Sequence, residues 1–389
     1  MIGAASSVLA FALGELAVRA LGRTDADGTF YLRDCPIRPY RMPLRRLGRL
    51  LDEYERSPAS YLVYDAELGW AIRPGSLSAN GLYRANASGL RSDREYSPEP
   101  GEGVLRIALF GDSFVHGDGV ALEAGMAPLV EAALGQRGVR AEVMNFGVPG
   151  YGIDQAYMRY LQQGRRFRPT LVVLGLQLEN VARDANVVRA LYHPGTRIPF
   201  TKPRFVLDGG GIRPVNRPAL EPRRALAALS DFGASSLRRY EFFYRPEDFA
   251  ERWYRRSRLL AAATDVLATG GELAIGPDPF RLDGEPVRVS LAILDAFRRD
   301  AAESGSRFEL MYLPVRLGWR FSARERRLEA VRREISSRFS ILDPRPGAAT
   351  GFAEWPKELA GADGWHYSAE GNRRVARALA DWVVSTSIR

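Results

Sequence analysis

Between Val104 and Phe110 the chain is apolar at every position but Arg106, and the run stops at Gly111. A short apolar stretch bounded by turn residues predicts a strand, and one without polar alternation predicts a strand covered on both faces. Strands are predicted likewise over 139–146 and over 171–176, the latter nearly all apolar. The segments between them carry the other period. Leu122, Met126, Leu129, Val130, Ala133 and Leu134 share one face of a helix over 122–134, closed by Gly135 and Gly138. Ile153, Tyr157, Tyr160 and Leu161 do the same for a helix over about 154–166. Strand alternating with helix is the pattern of a parallel, doubly wound sheet. The alternation lapses between about 184 and 286. It returns with a helix over 287–304, a strand over 307–313, a helix over 322–339, a short strand at 341–342 and a closing helix over 368–388.

Three stretches lie outside this core pattern. Residues 2–14 carry no charge and include Val8, Leu9, Phe11 and Leu13. The run is shorter than the ~20 residues that span a bilayer, and it lacks a basic leading segment and an A-x-A-like cleavage site. Residues 1–25 are therefore set apart as a remnant membrane anchor, in preference to a monotopic or plain amphipathic helix. Residues 26–103 are rich in Tyr, Arg, Pro and Gly, with turn signals at Arg73-Pro74-Gly75 and Asn80-Gly81, and predict an irregular, partly β flank ending in a linker. Within the remaining domain, 104–389, residues of about 185–286 read as an insertion, with Gly209-Gly210-Gly211 between two short β-like pieces. Insertions of that length commonly carry function.

Charge narrows the partners. The formal net charge is +9, from 55 basic and 46 acidic residues, and Lys202 and Lys357 are the only lysines. The arginines are scattered rather than gathered in a track, which speaks against nucleic acid and leaves an anionic membrane surface or an acidic glycan. One cysteine, Cys35, excludes an internal disulfide and a cysteine metal cluster. The three histidines, His116, His193 and His366, have no metal-ligand spacing, so neither a metal nor another cofactor is expected.

Candidate chemistry begins where the first strand ends. Gly111-Asp112-Ser113 puts a hydroxyl at the carboxyl edge of the sheet, where open α/β sheets place reactive groups. Taken alone, the tripeptide reads equally well as an ordinary turn. A serine nucleophile needs a base within hydrogen-bond reach and a carboxylate to orient that base. Asp363-Gly-Trp-His366 supplies both on a turn into the last helix, and after the final strand it belongs at the same sheet edge. His116 is a poorer base, because a neighbour on the same tight loop seldom has the right direction. His193 reads as a loop residue of the insertion. For an oxyanion hole the backbone N–H groups of Ser113 and Gly150 are suited, and Asn180 could add a side-chain amide. An asparagine after a strand is also an ordinary turn residue.

The assembled pattern resembles the SGNH, or GDSL-type, hydrolases. Gly111-Asp112-Ser113-Phe114 resembles the first block of that family, Asn145 to Gly150 the second and Asp363 to His366 the last. In the third block only Asn180 of Leu178-Glu179-Asn180-Val181 matches. The resemblance implies a flavodoxin-like three-layer α/β/α fold with a mostly parallel five-stranded sheet. It implies Ser113, Gly150, Asn180 and His366 as site residues, with Asp363 orienting His366. It further implies a serine esterase working through an acyl-enzyme, of the extracytoplasmic or membrane-associated kind that acts on acylated glycans or lipids. An O-acyltransferase using the same residues is the nearest alternative, and a non-catalytic binding protein on the same fold is the alternative from another class.

Overall fold

The computed structural model describes residues 2–32, 35–57, 59–268, 276–315, 323–345 and 355–386. Five strands, β1 (Leu105–Phe110), β2 (Ala141–Asn145), β3 (Leu171–Leu176), β4 (Arg307–Tyr312) and β5 (Ile341–Leu342), form one sheet in the order β5-β4-β3-β1-β2. Every neighbouring pair is parallel, so the sheet is wholly rather than mostly so. Counted from the β2 edge the order is 2-1-3-4-5, the flavodoxin-like arrangement, in which the strand order reverses between β1 and β3.

Five helices flank the sheet: α1 (Met126–Gly135), α2 (Ile153–Gln162), α3 (Glu285–Glu303), α4 (Ala323–Ser336) and α5 (Ala369–Ser385). Side chains alternate across β1, and the two faces are filled differently. Leu105, Ile107 and Leu109 join an aliphatic core with Met126 and Val130 of α1 and Leu379 and Val383 of α5. Phe110 faces the other way, stacked on Phe146 with ring centroids 4.6 Å apart and edge-on to Phe297 of α3. Arg106 also takes this second face, at the start of the strand. It is fully buried, yet its guanidinium donates to the carbonyls of Ser97, Pro98 and Phe167 and pairs with Glu142 on β2 at 2.6 Å. Those bonds offset the cost of burying the one charge in the run.

Several elements differ from their expected bounds. The helix expected over 122–134 is broken: Leu122–Ala124 is a 3-10 turn, and extended Gly125 (φ −78°, ψ 163°) separates it from α1. The helix expected over 154–166 ends at Gln162, and Gly164–Phe167 tightens into a 3-10 turn. Position 322, the first of a predicted helix, and positions 387–388, the last of another, lie outside the described residues. In the flank expected to be irregular and partly β there is a helix, Leu44–Arg56, that buries Leu47 and Leu51.

Contacts divide the chain into two compact units. One comprises residues 57–185, 202–219 and 279–389 and contains the five-stranded sheet, with the hairpin Arg204–Asp208/Gly211–Val215. The other comprises residues 1–56, 186–201 and 220–278. Its small core joins Phe30, Ile37, Ala261 and Ala262, with Val18 against them. It includes the N-terminal helix Ile2–Leu21. Among the described residues no helix is long and apolar enough to cross a membrane.

Candidate active site

β1 delivers the chain to Asp112, which starts a one-turn helix, Ser113–His116. Asp112 Oδ1 caps that turn by accepting the Phe114 N–H at 3.0 Å. Ser113 thus stands at the carboxyl edge of the sheet, beside the point where strand order reverses. The turn is held from behind by Asn145 at the end of β2. Its Nδ2 donates to the Val115 carbonyl at 2.8 Å, and its Oδ1 accepts the Gly147 N–H at 2.9 Å. Gly147 has to be glycine for space, since a Cβ there would collide with the His116 nitrogen and the Val115 carbonyl carbon.

The turn ahead of α5 brings the other partners. His366 Nε2 lies 2.8 Å from Ser113 Oγ, and its Nδ1 lies 2.5 Å from Asp363 Oδ2. Asp363 Oδ1 accepts the backbone N–H groups of Trp365 at 2.9 Å and His366 at 3.0 Å. Burial alone would raise the Asp363 pKa, but the imidazole and these two N–H groups outweigh it and hold the carboxyl below its ordinary value. The Phe114 ring packs 5.0 Å from the His366 ring, fixing the imidazole from Ser113's own turn.

His116 has both ring nitrogens engaged elsewhere, Nε2 with the Tyr61 hydroxyl at 3.0 Å and Nδ1 with Asp118 Oδ1 at 2.5 Å. Burial lowers its pKa. His193 lies in the other compact unit. Gly150 is buried with φ +83°, a left-handed conformation that favours glycine. Asn180 opens the short helix Asn180–Asp184 and is 1% exposed, and its side-chain oxygen is buried with no hydrogen-bond partner.

Sequence reasoning missed the residue that joins these parts. Arg183 sits one turn beyond Asn180, and its Nη1 donates both to Asp112 Oδ2 and to the Tyr151 carbonyl, each at 2.8 Å. One guanidinium thereby ties the cap of the Ser113 turn to the residue after Gly150 and to the helix that presents Asn180. The contact spans 71 positions, and no local pattern marks it. Next to it is a buried cluster that was also missed. Lys202 Nζ pairs with Asp154 Oδ2, while Asp184 accepts the Asp154 N–H at 3.0 Å and the Ser290 hydroxyl at 2.6 Å. Burial, then the charge of Asp154, pushes Asp184 well up, and burial pushes Lys202 down. Among the described residues no group of three or more His, Cys, Asp or Glu side chains could hold a metal ion.

No family model matches the chain, and no curated protein does. Solved structures overlap it weakly. A psychrotrophic esterase, EstA, from a Pseudoalteromonas species is 12% identical with a TM-score of 0.38, over 73% of this chain and 100% of that one. A GDSL-like lipase from Bacteroides thetaiotaomicron is 10% identical with a TM-score of 0.34, over 72% and 89%. A family 3 carbohydrate esterase from Clostridium thermocellum is 9% identical with a TM-score of 0.33, over 73% and 96%. Overlaps of this size say nothing of activity, which has to be argued from the side chains.

Proposed function

We propose that the chain is a serine hydrolase of the SGNH type that cleaves carboxylic esters. The observation that carries this reading is the continuous relay Asp363–His366–Ser113, with each link at hydrogen-bond distance. Ser113 Oγ attacks the ester carbonyl while His366 Nε2 takes its proton. The same proton passes to the departing alkoxide, which leaves as the alcohol, and the acyl group stays on Ser113. Water then attacks the acyl-enzyme with His366 again as base, releasing the acid and restoring the serine. Asp363 stays ionised and stabilises the imidazolium formed in each half-reaction. The Ser113 and Gly150 N–H groups and the Asn180 amide serve the developing oxyanion. Support for Asn180 comes from its place: it opens the short helix whose Arg183 bonds Asp112, the cap of the Ser113 turn.

The substrate class is an acylated glycan or lipid, and the apolar N-terminal helix attaches the enzyme to a membrane. Turnover of a p-nitrophenyl ester series by wild type and by folded Ser113→Ala tests the hydrolase. The expected result is hydrolysis by wild type and a loss of at least about 10³-fold in the variant. Equal rates would overturn the serine mechanism, and no turnover by either would favour acyl transfer with a restricted donor.

A further inference from the structure

The helix Ile2–Leu21 is anchored through its C-terminal half, and its N-terminal half is exposed. Val18 packs on the core of its unit, and Gly14 lies against Leu259. Glu15, the helix's sole acidic residue, caps the neighbouring helix Arg258–Ala268. It accepts the N–H groups of Arg258 at 3.0 Å and Leu259 at 2.8 Å and the Ser257 hydroxyl at 2.8 Å, and it pairs with Arg19 at 2.6 Å. Burial would push this carboxyl up, but those donors outweigh it and bring its pKa down to about 2. The helix's acidic charge is thus consumed at the anchor point.

On the N-terminal side of Glu15 the helix is uncharged, and from residue 5 to 13 every residue is exposed. Of the twelve exposed large apolar side chains in the described chain, six belong to this one helix, with Val8 at 70% and Leu9 at 60%. An amphipathic helix at rest in water would show a charged face, and this segment has none. At 1.5 Å per residue, residues 2–14 make about 20 Å of helix. Against a hydrocarbon core of ~30 Å, that is enough to pass through one leaflet.

The anchor point has a second, independent feature. Arg19 also donates to the Arg256 carbonyl at 3.2 Å, which sets the segment Arg252-Trp253-Tyr254-Arg255-Arg256 beside it. Arg255 is buried, but Arg252 and Arg256 are exposed and Trp253 is 79% exposed. An unshielded tryptophan between arginines is costly in water and suits the level of lipid headgroups, where the indole is half-solvated and the guanidinium groups meet phosphates.

We propose that residues 2–14 enter the acyl layer of an anionic lipid surface, with Arg252, Trp253 and Arg256 seated among the headgroups. This rests on the membrane attachment of the reading above and gives it named contacting residues and a lipid charge. The test is co-sedimentation of the full chain with vesicles of phosphatidylcholine alone or with ~30% phosphatidylglycerol. Wild type should pellet with the mixed vesicles, and Leu9→Asp/Phe11→Asp should bind at least about tenfold more weakly. Arg252→Glu/Arg256→Glu should lose the preference for the anionic mixture. All these positions are exposed, so folding should survive, and p-nitrophenyl ester turnover reports it. Wild type remaining in the supernatant, or the Asp variant binding as wild type, would overturn the proposal. A lipid-free dimer that the Asp variant dissolves, without vesicle binding, would overturn it in favour of a second copy. Intact turnover without vesicle binding sinks only the lipid surface; vesicle binding without turnover sinks only the esterase.

Discussion

In the proposed hydrolase Ser113 would owe its reactivity to what surrounds it: a serine hydroxyl is a poor nucleophile at neutral pH until an imidazole accepts its proton. His366 is in place at 2.8 Å, and Asp363 beside it is held below its ordinary carboxyl pKa and so is charged at neutral pH. Asp363→Asn should preserve the fold and lower kcat by about 10²–10⁴-fold, because an amide can fix the wrong tautomer. Measured kcat within threefold of wild type would remove Asp363 from the mechanism. Arg183 is the other residue whose effect can be stated in advance. Removing its ties to Asp112 and Tyr151 should loosen the cap of the Ser113 turn and the Gly150 loop together. Arg183→Met should lower kcat by about 10–100-fold with KM little changed, since small misplacements at a reacting centre have effects of that size. Arg183→Lys, which can keep one of the two bonds, should recover part of the loss. A pure stability defect would instead lower active-enzyme concentration and leave kcat per titrated serine unchanged. Ser113, His366 and Asp363 could be singled out from the sequence because a nucleophile needs those residue types, and only three histidines exist. Arg183 could not, because nothing local distinguishes a tie across 71 positions from a surface arginine.

At the scale of elements, the strands were legible because burial on both faces leaves a continuous apolar run, and β3 occupies the very residues expected. Helix ends were less so: Gly125 and Gly164 interrupt patterns that continue in period beyond them. The helix Leu44–Arg56 was obscured by its setting of Pro, Arg and Gly, although Leu44, Leu47 and Leu51 have helical spacing. Two predictions belong here. Gly147→Ala should destabilise by about 1–3 kcal/mol and disturb the Ser113 turn, since its Cβ meets backbone that cannot swing away. Chemical denaturation at unchanged m would check it, and wild-type stability would contradict it. The buried Asp184 cluster should impose a pH dependence. Asp184 keeps its proton to higher pH in the folded state than in the unfolded chain. Its contribution is therefore fully present at acid pH and is lost as pH rises toward the raised value, at about 1.4 kcal/mol per unit. Asp184→Asn should remove that slope, so unfolding measured from pH 5 to 8 should show the variant gaining on wild type. Parallel curves would mean that Asp184 is ionised in the folded protein.

For the whole molecule, the order of strands 2-1-3-4-5 explains why residues 253 positions apart meet. β1 lies at the reversal of strand order, so its carboxyl end opens onto the edge where the loop after β3 and the turn before α5 also arrive. That much follows from an alternating pattern of strands and helices. The grouping of residues 1–56 with 186–201 and 220–278 does not, because packing between distant segments leaves no period in either. The central claim is that His366 activates Ser113, and its most direct measurement is the mass of the protein after reaction with a fluorophosphonate, with the modified peptide sequenced. Wild type should gain one phosphonyl group on Ser113, and His366→Ala, still folded, should gain it at least about 10³-fold more slowly. A wild type that stays unlabelled, or a label on another residue, would contradict the account.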